Sequence, residues 1–296
     1  MKFNQILNGD VREIAKTLEP NSIQTIITSP PYFGLRKYSQ DAVESQNEIG
    51  RELTISEYIN ELVSVFEDLK TALKNDGTVW INLGDTYIKG NLQGAPWRFA
   101  LAMQDNGWIL RSDIIWHKPN AMPSSVKNRP TTDHEYIFLF TLDPKNYFYN
   151  ADAIREEHVT FSENSKMRGG RNHLGKKNGT PEQGKNSGNS NLHDGRWDQA
   201  FHPLGRNKRT VWNIPLGKYR GAHFAVFPEK LVETCLLAAT KEGDVVLDPF
   251  FGSGTTGIVA LKHNRNYLGI ELVREYAELA QTRLNEFNPQ LNLFET

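Results

Sequence analysis

A single cysteine, Cys235, stands in 296 residues. Without a second thiol there is no disulfide framework within the chain and no CxxC-type metal site. Cys235 lies in the apolar helical run from Leu231 to Leu237, and reads as a buried, inert thiol. Long hydrophobic runs are missing too. No stretch reaches the apolar length that spans a bilayer, and Met1-Lys2-Phe3-Asn4-Gln5 lacks the charged-then-apolar pattern of a signal segment. These absences lead to the expectation of a soluble, cytoplasmic protein without a membrane partner. His158, His173, His193 and His202 show no zinc-ligand spacing, so no metal is expected. Net charge is nearly absent at −1, yet it is unevenly spread. Between Arg155 and Arg220 stand 13 Lys and Arg against 6 Asp and Glu, which leaves the remainder acidic. A basic segment on a near-neutral chain is the footprint of a polyanionic partner such as nucleic acid, with a solvated loop as the plainer alternative.

Hydrophobic periodicity divides the rest. Ile6 to Gly9 opens as a short strand, Val11 to Leu18 follows with helical spacing, and Ile23 to Ile27 is a β-branched strand. From Thr54 onward Tyr58, Ile59, Leu62, Phe66, Leu69 and Leu73 recur every three or four residues, which predicts an amphipathic helix ended by Asn75-Asp76-Gly77. Thr78 to Leu83 is the next strand, making a βαβ crossover. Pro96 to Asn106 reads as a helix, and Ser112 to Trp116 with Tyr136 to Thr141 as strands that pair in a hairpin at a sheet edge. From about Glu156 to Arg209 the periodicity vanishes, and Gly, Asn, Ser and Lys dominate. A loop of that length inside a compact domain is functional or orders on binding. The final unit runs through a helix from Pro228 to Ala239, a strand from Val245 to Leu247, a helix from Thr256 to Lys262, a strand from Tyr267 to Ile270 and a helix from Arg274 to Phe287. The expected fold is α/β, a doubly wound and mostly parallel sheet, with halves at 1–155 and 210–296 around an insertion at 156–209.

Two short strings follow β-branched runs: Thr28-Ser29-Pro30-Pro31-Tyr32, and Asp248-Pro249-Phe250-Phe251-Gly252-Ser253-Gly254-Thr255-Thr256. Each is therefore expected at the carboxyl end of a strand, where open α/β sheets bind ligands. The second string, a strand running through glycines into a helix, lets backbone approach a ligand closely. No Lys follows Gly254, so the phosphate-loop pattern fails, and only Gly252-Ser253-Gly254 of the pyrophosphate fingerprint is present. Nucleoside binding is what remains. Asp248 and Glu271 end successive strands, and as carboxylates they can accept hydrogen bonds from ribose hydroxyls and a cationic amino group, which suits S-adenosylmethionine. In the first string two prolines fix φ and remove two donors. That leaves acceptors able to hold a planar exocyclic amino group while Tyr32 stacks on its ring. Phe251 is expected in the core, whereas Phe250 faces either core or cofactor.

These strings, in this order, resemble the amino-methylating DNA methyltransferases that use S-adenosylmethionine, in their permuted β-type arrangement, over nearly the whole chain apart from 156–209. The resemblance implies that Ser29, Pro30, Pro31 and Tyr32 are catalytic. It implies a cofactor site in which Asp10 lies near the adenine ring, Phe227 beside the methionine end, and Glu271 on the ribose, with Asp248, Phe250, Gly252, Ser253, Gly254 and Thr255 as the cofactor loop. Trp116-His117-Lys118-Pro119-Asn120 with His134-Glu135 resembles a strand pair lining the target-base side. Ser at position 29 is the form typical of members acting on cytosine N4, and Asp or Asn of those acting on adenine N6. The implied reaction is methyl transfer to N4 of a cytosine flipped from duplex DNA, with 156–209 as the target-recognition region. A restriction-modification setting, a cognate restriction endonuclease as partner, and a monomer or homodimer go with it. The carbon-5 route needs a cysteine nucleophile, and Cys235 lacks a Pro-Cys context. Adenine N6 methylation, a DNA-binding module without turnover and a nicotinamide oxidoreductase are the alternatives.

Overall fold

The computed structural model describes residues 2–34, 45, 47–158, 202–217 and 228–287. In chain order its strands are β1 (Gln5–Asn8), β2 (Ile23–Thr28), β3 (Leu73–Leu83), β4 (Tyr87–Ile88), β5 (Asn91–Leu92), β6 (Ile109–His117), β7 (His134–Thr141), β8 (Val211–Asn213), β9 (Val245–Asp248) and β10 (Asn266–Glu271). The helices are α1 (Val11–Ile14), α2 (Ile55–Leu69), α3 (Ala95–Asp105), α4 (Glu229–Ala239), α5 (Thr255–Lys262) and α6 (Arg274–Phe287). Strands β4 and β5 form a small separate hairpin, and the other eight form one sheet in the order β1-β10-β9-β2-β3-β7-β6-β8. Only β7 runs against its neighbours, β3 and β6.

Helices cover both faces, and for that reason β2 reads Ile-Gln-Thr-Ile-Ile-Thr with every residue buried. On β3 the alternation divides the two cores. Val79, Ile81 and Leu83 face the cluster built with α2 and α3, while Trp80 points the other way and stacks near Tyr149 and Trp212, at ring centroid distances of 6.5 and 6.4 Å. Helix α4 packs on β2 and β3 from that second side, with Leu231, Cys235 and Leu236 fully buried. Helix α2 starts where its sequence dictates: Thr54 and Glu57 form a reciprocal capping box, a feature that contributes about 1 kcal/mol.

Four details differ from the periodicity. The helical spacing after Asp10 yields only α1 and one 3-10 turn, Ala15–Thr17, before the chain turns into β2. Leu73 belongs to β3, where it pairs with Ile23, and Asn75-Asp76-Gly77 lies within that strand beside a register shift between Ile23 and Thr25. A turn signal was thus a strand irregularity. Strands β6 and β7 do pair antiparallel, but β8 adds parallel to β6 through Ile115 and Val211, so β6 is not the edge. Pro228 caps α4 from outside and does not occupy its first turn.

The chain divides into two units, Met1–Asn150 with Arg209–Thr296, and Ala151–Lys208. In the second, Glu156 and Arg206 form an antiparallel bridge, and Glu156 also takes Arg206 and Lys208 as ion-pair partners at 3.2 and 3.3 Å. No helix among the described residues is long and apolar enough to cross a membrane.

Connections leave β2 toward β3 on one side and β9 toward β10 on the other. The sheet therefore switches direction between β2 and β9, and a crevice opens at the carboxyl ends of those strands.

Candidate active site

One pocket of about 430 Å³ runs along this carboxyl edge. Register explains its membership. Thr28 pairs with Ile81, Gly269 with Asp248 and Asn8 with Glu271, so the residues that follow these pairs emerge on one rim. Ser29, Pro30, Pro31 and Tyr32 line the pocket together with Asp10, Asp248, Phe250, Gly252, Ser253, Thr255 and Glu271. Gly254 does not line it, and Phe227 lies outside the described residues.

The two strings are joined directly. Thr28, the last residue of β2, donates from Oγ1 to Asp248 Oδ1 at 2.6 Å. Asp248 also accepts from the Phe250 amide at 3.1 Å and from Thr256 Oγ1 at 2.7 Å. Burial pushes its carboxyl up to about 7, against the opposing pull of these three hydrogen bonds. The loop beyond it is pinned from β10: the Phe251 amide donates to the Ile270 carbonyl at 2.9 Å and the Gly252 amide to Glu271 Oε2 at 2.7 Å. Gly252 and Gly254 have φ of 52° and 80°, the left-handed region that glycine tolerates, and the chain thereby turns into α5. Phe251 is buried and stacks on Tyr267 at 5.6 Å, as expected of a core residue, and both it and the partly buried Phe250, which also packs against the core, line the pocket.

Asp10 caps α1 and holds the Arg12 guanidinium at two nitrogens. Burial raises its carboxyl, but the Arg12 hydrogen bonds and charge outweigh that and leave it lowered. Arg12 continues to Glu61 on α2 and to the Asn47 carbonyl, which ties one wall of the pocket to the helix layer.

A polar cluster also lines the pocket. Tyr32 donates from its hydroxyl to Glu135 Oε2 at 2.7 Å, Asn82 Nδ2 donates to the same oxygen at 2.7 Å, and Ser29 Oγ lies 3.2 Å from the Tyr32 hydroxyl. Lys118 pairs with Glu135 and sits 4.6 Å from the centre of the Trp116 ring. Asn82 stands in neither string, and Glu135 and Lys118 belong in sequence only to the strand pair. The strand-end rule applied to β3 finds Asn82; Glu135 lies at the start of an antiparallel strand, which that rule does not reach. The Tyr32 ring rests on Gly84, where a Cβ would stand 2.6 Å from Cε2. Gly84→Ala is expected to shift the ring and lower turnover roughly tenfold while leaving the thermal midpoint near wild type, as assayed by single-turnover kinetics and calorimetry.

Two buried side-chain atoms of the pocket residues, Thr255 Oγ1 and Asn82 Oδ1, have no hydrogen-bond partner among the described residues. Such orphans are costly unless a ligand satisfies them; Thr255 belongs to the second string, and Asn82 contacts Ser29 and Tyr32 of the first. No cluster of three or more metal-ligating side chains occurs among the described residues.

A doubly wound sheet with an acid-and-glycine nucleoside crevice at its switch point, abutting a proline-rigid acceptor ledge, defines a group transferase of the Rossmann-like methyltransferase class. The chain belongs to the N6/N4 DNA methylase family, whose profile matches residues 23–282. The Type II methyltransferase M.Cfr9I of Citrobacter freundii is 40% identical over 308 aligned positions, covering 94% of this chain and 87% of that protein. Among solved structures, PvuII DNA methyltransferase (cytosine-N4-specific) superposes with a TM-score of 0.66 at 20% identity, covering 98% of this chain and 97% of that one. The M1.HpyAVI–SAM complex superposes at 0.58 and 21%, covering 95% and 98%. The expected fold and family are thus confirmed, and the protein is a DNA methyltransferase of the N4/N6 type.

Proposed function

We propose that this chain methylates the exocyclic N4 of a cytosine flipped out of duplex DNA, as the modification enzyme of a cytoplasmic restriction-modification system. S-adenosylmethionine supplies the methyl group from its sulfonium centre when bound. The unpartnered Thr255 hydroxyl, the carboxylates of Asp248, Glu271 and Asp10, and the Gly252-Ser253-Gly254 turn suit that molecule, which offers ribose hydroxyls, an ammonium and an adenine amino group as donors.

The observation that carries the choice of base is Ser29. Its hydroxyl occupies the pocket at the end of β2, where a family member acting on adenine typically presents an Asp or Asn. Ser29 Oγ and the Pro30 carbonyl orient the amino group, and the Tyr32 ring, clamped at its hydroxyl, offers a stacking face. Catalysis then rests mainly on positioning. The segment 156–209 reads the recognition sequence, its Arg and Lys meeting phosphates and guanine edges.

Mass spectrometry of nucleosides from plasmid DNA treated with the enzyme and S-adenosylmethionine is expected to detect N4-methylcytosine. N6-methyladenine without it would overturn the choice of base. Ser29→Ala is expected to lower the single-turnover rate by about 100-fold with cofactor affinity unchanged.

A further inference from the structure

We propose that Glu135 is the final acceptor of the proton that the target amino group gives up, reached through Ser29 and Tyr32; this rests on Ser29 being the residue that meets that group. Three oxygens lie in series. Ser29 Oγ is 3.2 Å from the Tyr32 hydroxyl, which donates to Glu135 Oε2 at 2.7 Å. The direction of the series is set by donor chemistry. Tyr32 has one proton and directs it at the carboxylate, so its oxygen accepts, and the Ser29 hydroxyl is placed to donate to it. Asn82 supports the same polarity: its Nδ2 stands 2.6 Å from the Tyr32 hydroxyl and 2.7 Å from Glu135 Oε2. Turning that amide over would set Oδ1 against a carboxylate oxygen, so the orientation is fixed. Lys118 holds the other oxygen of Glu135 and fixes the plane of the carboxylate.

Methylation leaves the amino nitrogen with one bond too many for a neutral product. One N–H proton passes to Ser29 Oγ as the Ser29 proton moves to the Tyr32 oxygen and the Tyr32 proton moves to Glu135 Oε2. One N–H and two O–H bonds break, three O–H bonds form, and the positive charge that arrives with the methyl group is cancelled by the carboxylate. Serine and tyrosine end with their original complement of protons, and Glu135 later returns its proton to water.

The test is single-turnover methylation of a duplex oligonucleotide by Glu135→Gln, Tyr32→Phe and the double variant. Each single change is expected to slow the reaction about 100-fold, and the double variant no further, because both cut the same path. The solvent deuterium isotope effect of the wild type should disappear in each, and added formate should restore part of the rate of Glu135→Ala. Duplex affinity by anisotropy and S-adenosylmethionine affinity by calorimetry should stay at wild-type values. Unchanged rates, additive losses, or a loss confined to duplex affinity would overturn the relay. The methylated base is identified separately by mass spectrometry, so an adenine product would refute the cytosine reading and leave the relay to be judged on that base.

Discussion

Gly269→Ala is expected to destabilise the protein by about 3 kcal/mol, near the upper end for an overpacked core site. Gly269 sits in the middle of β10, and a Cβ there would stand 2.5 Å from Phe251 Cγ and 2.6 Å from both Cδ atoms. The ring has nowhere to retreat. It is stacked on Tyr267, and its Cζ lies 2.8 Å from where a Cβ of Gly257 would be. Phe251 must therefore leave its seat, and it carries the Asp248 to Gly254 loop with it, so cofactor affinity should fall together with stability. Guanidinium unfolding and calorimetric titration with S-adenosylmethionine measure the two losses. Adding Phe251→Ala should cost less in the Gly269→Ala background than in the wild type, because the clash is removed along with the ring. A wild-type unfolding midpoint for Gly269→Ala would show that the loop is not seated this way.

Asp248→Asn should separate stability from function. The folded protein keeps a proton on this buried carboxyl up to pH about 7, while the unfolded chain loses it in the ordinary carboxylate range. Between those limits the folded state binds more protons, so stability falls as pH rises, by about 1.4 kcal/mol per unit, and levels off above 7. Asparagine cannot ionise. It keeps an acceptor for Thr28, and its amide can donate to Thr256 Oγ1, so the variant should be more stable than wild type at pH 8, with the advantage gone near pH 4. Cofactor affinity should move the other way, weakening about 100-fold at pH 8, where the ionised carboxylate would otherwise meet an ammonium. Wild-type affinity should also tighten as pH rises through 7, and the variant's should not. Calorimetry and denaturation across that range report both; a variant that binds as tightly as wild type would remove Asp248 from the cofactor site.

Part of this protein was decided by local sequence. The prolines of the first string, the glycines of the second and the apolar period of α2 act over a few residues, and each produces its turn or helix wherever the chain carries it. The order of the two strings also follows from sequence alone, and with it the permuted family. Tertiary structure decided the rest, since pairing across long separations leaves no local periodic trace. The 3-residue β8 joins the sheet only because β6 offers it an edge, and Asn75-Asp76-Gly77 is a strand irregularity only because β2 fixes the register. In the same way Thr28 meets Asp248 across the switch point, and Ser29, Asn82 and Glu135 meet because β2 and β3 end beside the start of the antiparallel β7. The sequence supplies the acceptors that can hold an amino group. The carboxylate within reach of them is brought there by the sheet.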